Sequence, residues 1–453
     1  MSRTIDMTVG SPTKHILKFA FPLIATNLGQ QLYTIVDAAI VGRGVGVKAL
    51  AAVGSSDWCC WLILWTVSTL TQGFSTFVSR YFGDKNYKAM NKVIAMSTLL
   101  SIVIGIFLTV GGLVAAKPIL LLLKTPSDIF DGANTYLTTI IAGPLIVTAY
   151  NLTASILRAF GDGNSPLIAM LIAALLNIGL DMFFVFVFDM GIFGAALASV
   201  IAQLVSFLYC LFKISKIEYI KLERDMFRPD FRLIKDLLAF GLPLALETIV
   251  ISLGGIILQS SINAQGSIFI AGYTATNKVY GLLESSAIAL GLSCSTFLAQ
   301  NYGAGNFARV KKGVKTSLVI VLLMSVAVTV LTLLGRKWLL LLFLDITEQG
   351  GPEALKIAIH YITILAFCLS ILYLLHIFRN ALQAMEISIW SMISGLLEFA
   401  ARVIMSKVVI HYIGTDALFI SEPVAWFGAL VSVMLPYLYY RKKLLNEKSQ
   451  KAE

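Results

Sequence analysis

Long stretches without any charged residue constrain this chain more than any other feature. Residues 99–116 and 318–334 contain no Asp, Glu, Lys or Arg. A membrane-spanning helix needs about 20 mostly apolar residues, whereas the strands of a transmembrane barrel alternate apolar and polar residues. With 58% of its 453 residues hydrophobic and 13% charged, the chain has apolar sequence for about a dozen spans and little else. We therefore expect an all-α integral membrane protein without a soluble catalytic domain.

Apolar stretches bounded by glycine, proline and charge predict twelve transmembrane helices. An even number of spans places both termini on one side of the membrane. Most of the 35 Lys and Arg residues fall in the segments on that side, which the positive-inside rule assigns to the cytoplasm. The net charge of +10 is then explained by the cytoplasmic surface, and no nucleic acid partner is expected. The predicted spans cover residues 16–41, 50–78, 93–116, 135–157, 166–188, 191–214, 237–262, 268–298, 314–335, 357–378, 388–411 and 419–440.

The two halves of the apolar sequence repeat each other. The sequence FAFPL at 19–23 recurs as FGLPL at 240–244, and YFGDKNY at 81–87 recurs as NYGAGNF at 301–307, at offsets of 221 and 220 residues. Because each half holds six spans, both copies enter the membrane from the same side, and parallel repeats of this kind characterise secondary transporters. We expect two pseudo-symmetric six-helix bundles with a substrate cavity between them.

The longest charged stretch separates the two halves. We predict an N-terminal six-helix bundle at 1–212, a basic cytoplasmic linker at 213–236, a C-terminal six-helix bundle at 237–440 and a basic cytoplasmic tail at 441–453. Polar side chains interrupt the first apolar run, so we interpret the N-terminus as mature rather than as a cleaved signal.

Polar and ionisable side chains inside the predicted spans are the candidate functional groups, because a charge at membrane depth is costly and rare. Asn177 and Asp181 are four residues apart and share one face of the fifth helix. Asp37 on the first helix and Ser199 on the sixth lie at a compatible depth. Such oxygen ligands suit a proton or a hard cation such as Na+, and two nearby carboxylates disfavour each other's ionisation. We predict that these four residues bind the coupling ion; alternatively, the two acids only cap or hydrogen-bond neighbouring backbone.

Four further charged residues are candidates for substrate binding or gating. Glu398 and Arg402 are four residues apart and would neutralise each other on one helix face, which favours bracing or gating over substrate contact. Glu284 has no evident partner on its own helix and would meet either a cationic substrate or a neighbouring helix. Glu247 follows Pro243 by one turn, where an interfacial role is equally open.

The sequence offers little support for an enzyme. It contains no nucleotide-binding loop, zinc-protease motif or hydrolase motif, and its four histidines share no motif. The five cysteines have neither a disulfide pattern nor a zinc-binding pattern. We expect no cofactor and transport driven by an ion gradient; a membrane-embedded enzyme, such as an acyltransferase, is the weaker alternative.

The chain resembles the multidrug and toxic compound extrusion (MATE) transporters over about residues 10–440. The resemblance implies a bacterial, proton- or sodium-driven antiporter that exports amphipathic, often cationic, drugs across the cytoplasmic membrane. It also implies a monomer whose partners are small molecules and the lipid bilayer. The matching stretches are residues 37–43, 49–54, 157–162, 177–181, 194–196 and 299–305.

The resemblance also implies residue roles. A proline ahead of the first acid, here Pro22, is linked to bending of helix one, although proline is also tolerated near a helix start. In relatives with a cation site in the N-terminal half, the ligands correspond to Asp37, Asn177, Asp181 and Ser199.

One departure from the family pattern concerns the C-terminal half. Relatives with a cation site there place a Glu on helix seven, at a position near Ile251 in this chain, and an Asp on helix ten. Here Glu247 comes one turn early, and the predicted tenth helix has no acid. We therefore expect the coupling ion to bind in the N-terminal half. Lipid-linked oligosaccharide flippases of the same superfamily remain the alternative, but they often hold pyrophosphate with basic residues, whereas the deepest charges here are mainly acidic.

Overall fold

The computed structural model describes residues 4–45, 47–122, 125, 127–344, 347 and 350–450. Within some helices the description covers the backbone but not every side chain, and the side chain of Asp37 is among those outside it. Over the described ranges the chain is helical, without strands. Its contacts divide it into two compact units: unit 1 contains Met1–Met7 and Phe21–Ala245, and unit 2 contains Thr8–Ala20 and Leu246–Glu453.

The helices follow one another with short connections. Pi-helical segments at Phe183–Val187 and Met405–Val409 extend α6 and α12, and a 3-10 turn covers Arg224–Phe227. The α-helices are α1 (Pro12–Gly44), α2 (Val47–Gly83), α3 (Tyr87–Leu122), α4 (Ser127–Ile141), α5 (Pro144–Ala159), α6 (Asn164–Met182), α7 (Gly191–Ile214), α8 (Phe231–Asn263), α9 (Ser267–Gly303), α10 (Phe307–Leu341), α11 (Gly351–Ala384), α12 (Ile389–Ile404), α13 (Ile410–Ile413) and α14 (Asp416–Gln450).

Each of the twelve predicted spans coincides with one of these helices or with a consecutive group of them. The fourth predicted span, 135–157, is broken: α4 and α5 meet at an angle of 46°. Pro144 begins α5, and because proline has no N–H to donate, it favours the start of a new helix over continuation of the old one. Among the described residues, eight helices are long and apolar enough to cross a membrane, or nine if the bent pair forms one span.

The sequence repeat is visible in the helix lengths and in the helix caps. Helices α1 and α8 each have 33 residues and α2 and α9 each have 37. The turn after α2 ends in Asn86, whose side chain accepts from the Ala89 N–H at 3.1 Å. Asn306, after α9, caps α10 in the same way through the Arg309 N–H at 3.3 Å. Asparagine caps of this kind satisfy donors that a helix start leaves open.

The predicted cytoplasmic linker packs against α3 within unit 1. Asn91 on α3 donates to the Tyr219 carbonyl at 3.0 Å. Lys92 donates to the carbonyls of Met226 at 3.1 Å and Arg228 at 2.7 Å. These contacts hold the segment between α7 and α8 against α3. The domain boundaries themselves remain predictions.

Large apolar side chains cover the outer faces of several helices. Phe107 and Val114 on α3, Leu175 on α6 and Leu334 on α10 are 72–78% exposed. Exposing such apolar surfaces to water along whole helices would be unfavourable, whereas the apolar tails of lipids can cover them. The polar groups of the candidate site lie instead inside the bundles.

Candidate functional site

Helices α6 and α7 bring together three of the four predicted ion ligands. Asn177 and Asp181 lie one turn apart on α6, and both are fully buried. With its amide nitrogen facing the carboxylate, Asn177 donates to Asp181 Oδ2 at 2.8 Å, and its oxygen accepts from Ser199 N at 3.2 Å and Ser199 Oγ at 3.3 Å. In the opposite orientation the nitrogen would face Ser199 Oγ at 3.3 Å. We adopt the first orientation because it satisfies both ends of the amide.

The fourth predicted ligand, Asp37, lies on α1, and its side chain is outside the described part of the chain. The position of its carboxylate relative to the other three residues therefore remains a prediction.

Pro22 lies inside α1. Because proline has no N–H, the helix lacks one backbone hydrogen bond at this point. The hydroxyl of Thr26 donates to the Pro22 carbonyl at 2.8 Å. The missing bond marks a weak point in α1, and bending of the helix there remains a prediction.

Small residues on α7 allow this helix to approach the end of α6. Ala196 and Ala198 are fully buried. A Cβ atom on Gly194 would lie only 2.9 Å from the Phe184 Cβ, in the π-helical segment that follows α6. Because α7 packs so closely here, the short side chain of Ser199 can reach Asn177. The π-helical segment is a further sign of a functional region, since such segments are frequent at functional sites.

The chemistry of these side chains suits a small cation. The Asp181 carboxylate and the Ser199 hydroxyl are hard oxygen ligands of the type that bind Na+, and the carboxylate alone can take up a proton. The Asn177 amide donates to the carboxylate and would have to turn over to present its oxygen to a cation. An ionised carboxylate inside a bundle is costly unless it is neutralised. A positive ion beside the carboxylate would remove that cost.

A second group of buried charges joins four helices of unit 2. Arg379 on α11 forms ion pairs with Glu247 on α8, at 2.9 Å, and with Glu398 on α12. Arg402, also on α12, lies 3.3 Å from Glu398 and binds Glu422 on α14 through two hydrogen bonds of 2.9 and 2.8 Å. The five side chains are 5–14% exposed. Three carboxylates thus alternate with two guanidinium groups in one buried chain.

The sequence predicted only part of this buried network. The pairing of Glu398 with Arg402 on one helix face follows from their spacing, but each residue also binds a partner from another helix. Glu247 is buried against Arg379 rather than placed at an interface with water. Sequence reasoning missed Arg379 and Glu422. The sequence could have indicated Glu422 as a candidate, because it lies inside the predicted span 419–440.

Glu284, on α9, lies close to a histidine. Its side chain is 30% exposed and approaches His376 Nε2 at 4.0 Å. Tyr280 lies one turn earlier on the same helix, α9. Tyr280 in turn stacks on Trp426, with ring centres 5.6 Å apart.

The chain is similar to a known protein family and to named members of it. A family model described as MatE matches residues 22–183 and 243–413, two stretches that begin one repeat length apart. The probable multidrug resistance protein YpnP of Bacillus subtilis (strain 168) is 30% identical over 308 residues, which are 68% of this chain and 69% of that protein. The probable multidrug resistance protein YoeA of the same organism is 27% identical over 434 residues, 93% of this chain and 92% of that protein.

The fold is also found among solved structures. The crystal structure of MATE in the bent conformation matches with a TM-score of 0.90 at 22% identity, and the match covers 100% of both chains. This likeness confirms the predicted fold class, an all-α membrane protein with twelve transmembrane helices in two pseudo-symmetric six-helix bundles.

Proposed function

The chain belongs to the MatE family of membrane transporters, and from that premise we propose that it is a secondary antiporter that exports amphipathic, cationic compounds in exchange for H+ or Na+. Relatives named as multidrug resistance proteins support export of drugs or toxic compounds. Members of the family are transporters and not enzymes, and they need no cofactor. We place the protein in the bacterial cytoplasmic membrane as a monomer with both termini in the cytoplasm.

The observation that carries the coupling proposal is the buried trio of Asn177, Asp181 and Ser199. These three side chains meet within 3.3 Å between α6 and α7. We assign them, together with Asp37 on α1, to the coupling ion. Support comes from their chemistry and burial, since a carboxylate beside neutral oxygen ligands inside a membrane bundle binds a small cation or a proton.

Binding of the ion would change the balance between two conformations of unit 1. With the ion bound, the carboxylate is neutral and the helices around it can close without burying charge. After release, the bare carboxylate favours a conformation that admits water to the site. An ion affects this equilibrium only as far as it binds one conformation better than the other. The weak point of α1 at Pro22 is our candidate hinge.

We propose that Glu284 meets the positive charge of the exported compound. It is the most exposed of the three candidate glutamates in unit 2. Tyr280 lies one turn earlier on the same helix and stacks on Trp426, which is buried. Aromatic faces attract organic cations. The carboxylate and the Tyr280 ring together suit a flat, positively charged molecule.

The two arginines of the buried network do not favour the flippase alternative. Recognition of pyrophosphate requires arginine or lysine side chains that can turn toward the ligand. Arg379 and Arg402 are each held by two glutamates, so neither suits this task.

The coupling proposal is tested with Asp181→Asn in proteoliposomes. We expect this variant to lose ethidium efflux driven by a pH gradient or by a Na+ gradient, each imposed separately, while it still purifies as a folded protein. Whichever gradient drives the wild type identifies the coupling ion. Efflux by Asp181→Asn at the wild-type rate would contradict the assignment.

Asp162→Asn provides a matched control in the same unit. Asp162 is also buried and accepts from the Ser165 N–H at 2.9 Å and from its hydroxyl at 2.6 Å. Asparagine serves such a capping position about as well as aspartate. We therefore expect the control to retain ion-driven efflux, which separates loss of an ion ligand from loss of a buried acid.

A further inference from the structure

The sequence repeat relates the candidate ion site to the buried charge network. At the repeat offset of 221 residues, Asn177 corresponds to Glu398 and Asp181 corresponds to Arg402. Each pair lies one turn apart on a helix, α6 or α12, that continues into a π-helical segment. The two pairs therefore occupy corresponding places in the two halves.

The third member of each group also corresponds. Gly191 and Gly414 both adopt positive φ angles, +55° and +65°. Gly191 is the first residue of α7, and Gly414 lies two residues before α14. Ser199 and Glu422 each follow their glycine by eight residues. Ser199 contacts Asn177, the first member of the α6 pair, whereas Glu422 contacts Arg402, the second member of the α12 pair. In each half, the residue eight positions after the glycine therefore contacts one member of the helix pair.

The charges within the two groups are opposite. In unit 1 the centre is the carboxylate of Asp181, with an amide and a hydroxyl close by. In unit 2 the centre is the guanidinium of Arg402, with carboxylates on both sides at 2.8–3.3 Å. The guanidinium is held by Coulomb attraction and by directed hydrogen bonds, the arrangement in which arginine binds carboxylates most strongly.

We propose that the guanidinium of Arg402 is a tethered cation, which fills in unit 2 the place that an exchangeable ion fills in unit 1. Arg379 completes the arrangement because it binds the second oxygen of Glu398, which keeps that carboxylate from turning toward another cation. Unit 2 consequently takes up no exchangeable ion at this place. The comparison with an exchangeable ion in unit 1 rests on the proposed function, whereas the tethering of Arg402 between Glu398 and Glu422 does not.

The test is chemical rescue of Arg402→Ala by free guanidinium. Removal of the side chain leaves a hole lined by the carboxylates of Glu398 and Glu422. In the purified protein, guanidinium chloride at low millimolar concentration should raise the Tm of this variant saturably by about 2–4 °C. Sodium chloride at equal ionic strength should not. The wild type, whose site is already filled, should show no such rise.

Arg336→Ala is the matched control because it removes an arginine of the same unit that binds a neutral group, the Thr363 hydroxyl at 2.8 Å. Guanidinium should leave its Tm unchanged. If Arg402→Ala responds no more than this control, or if the wild type responds equally, the proposal is overturned.

A second pair of variants covers the case in which Arg402→Ala does not fold. Arg402→Lys keeps a tethered charge and Arg402→Gln removes it. The lysine variant should melt at least about 2–4 °C above the glutamine variant, and equal Tm values would overturn the proposal. These readouts require no transport. A failure of the coupling assay with Asp181→Asn therefore remains distinguishable from a failure here.

Discussion

Replacing Arg379 with methionine should strongly destabilise unit 2, because it removes the link between α11, α8 and α12. The guanidinium forms ion pairs with Glu247 and Glu398, and it donates to the Ser394 hydroxyl at 2.9 Å. Methionine fills much of the space but leaves Glu247 buried without its cation. An uncompensated buried charge is the costly outcome when one partner of an ion pair is removed.

The size of the effect follows from the cost of breaking a buried ion pair, which is about 3–5 kcal/mol. For a unit of this size each kcal/mol corresponds to a shift of about 2–4 °C, so Arg379→Met should lower the apparent Tm by about 6–20 °C. Adding Glu247→Gln removes the stranded charge. The double variant should then be less destabilised than the sum of its single variants by about 1–3 kcal/mol.

The assay is thermal unfolding of purified protein in detergent, followed by intrinsic fluorescence. Arg336→Met serves as the control because its partner, Thr363, is uncharged, and its Tm should fall by less than about 4 °C. The reasoning is refuted if Arg379→Met melts within 2 °C of the wild type, by the same estimate, or if the two single substitutions prove additive.

Two further predictions concern unit 1. Gly194→Ala should lower both Tm and ion-driven efflux, because its Cβ would lie 2.9 Å from the Phe184 Cβ, whereas Gly179→Ala meets no atom within 4 Å and should leave both unchanged. Lys92→Ala should make the segment between α7 and α8 more accessible to trypsin, since it removes two hydrogen bonds to that segment; Lys88→Ala, at an exposed position, should leave the digestion rate as in the wild type.

The helices and the unit 1 trio were accessible from sequence because both depend on local spacing. An apolar run of sufficient length predicts a span whatever its neighbours are. Two polar residues four apart share a helix face regardless of the rest of the fold, which is why Asn177 and Asp181 could be paired. Ser199 followed from depth alone, since residues at equal depth on adjacent helices lie side by side.

The buried network was harder to predict, because a charge inside the membrane resembles the end of a span. Arg379 follows the predicted span 357–378 directly, so the sequence places it in a cytoplasmic loop, whereas α11 continues to residue 384. Glu422 lies three residues inside its predicted span and resembles an interfacial flank. Only the positions of α8, α11, α12 and α14 show that these charges neutralise each other, and spacing along one helix carries no information about that.

The repeat preserves helix geometry more strictly than side-chain chemistry, and this has a physical cause. In both halves the paired residues lie one turn apart on a helix, α6 or α12, that continues into a π-helical segment. In both places, a buried carboxylate requires a positive partner. Unit 1 can meet that need with a mobile ion, whereas unit 2 meets it with Arg402. On the proposed mechanism, only the first arrangement can release its charge. Substitutions at Asp181 should therefore change the ion dependence of transport, whereas substitutions in the α12 network should not.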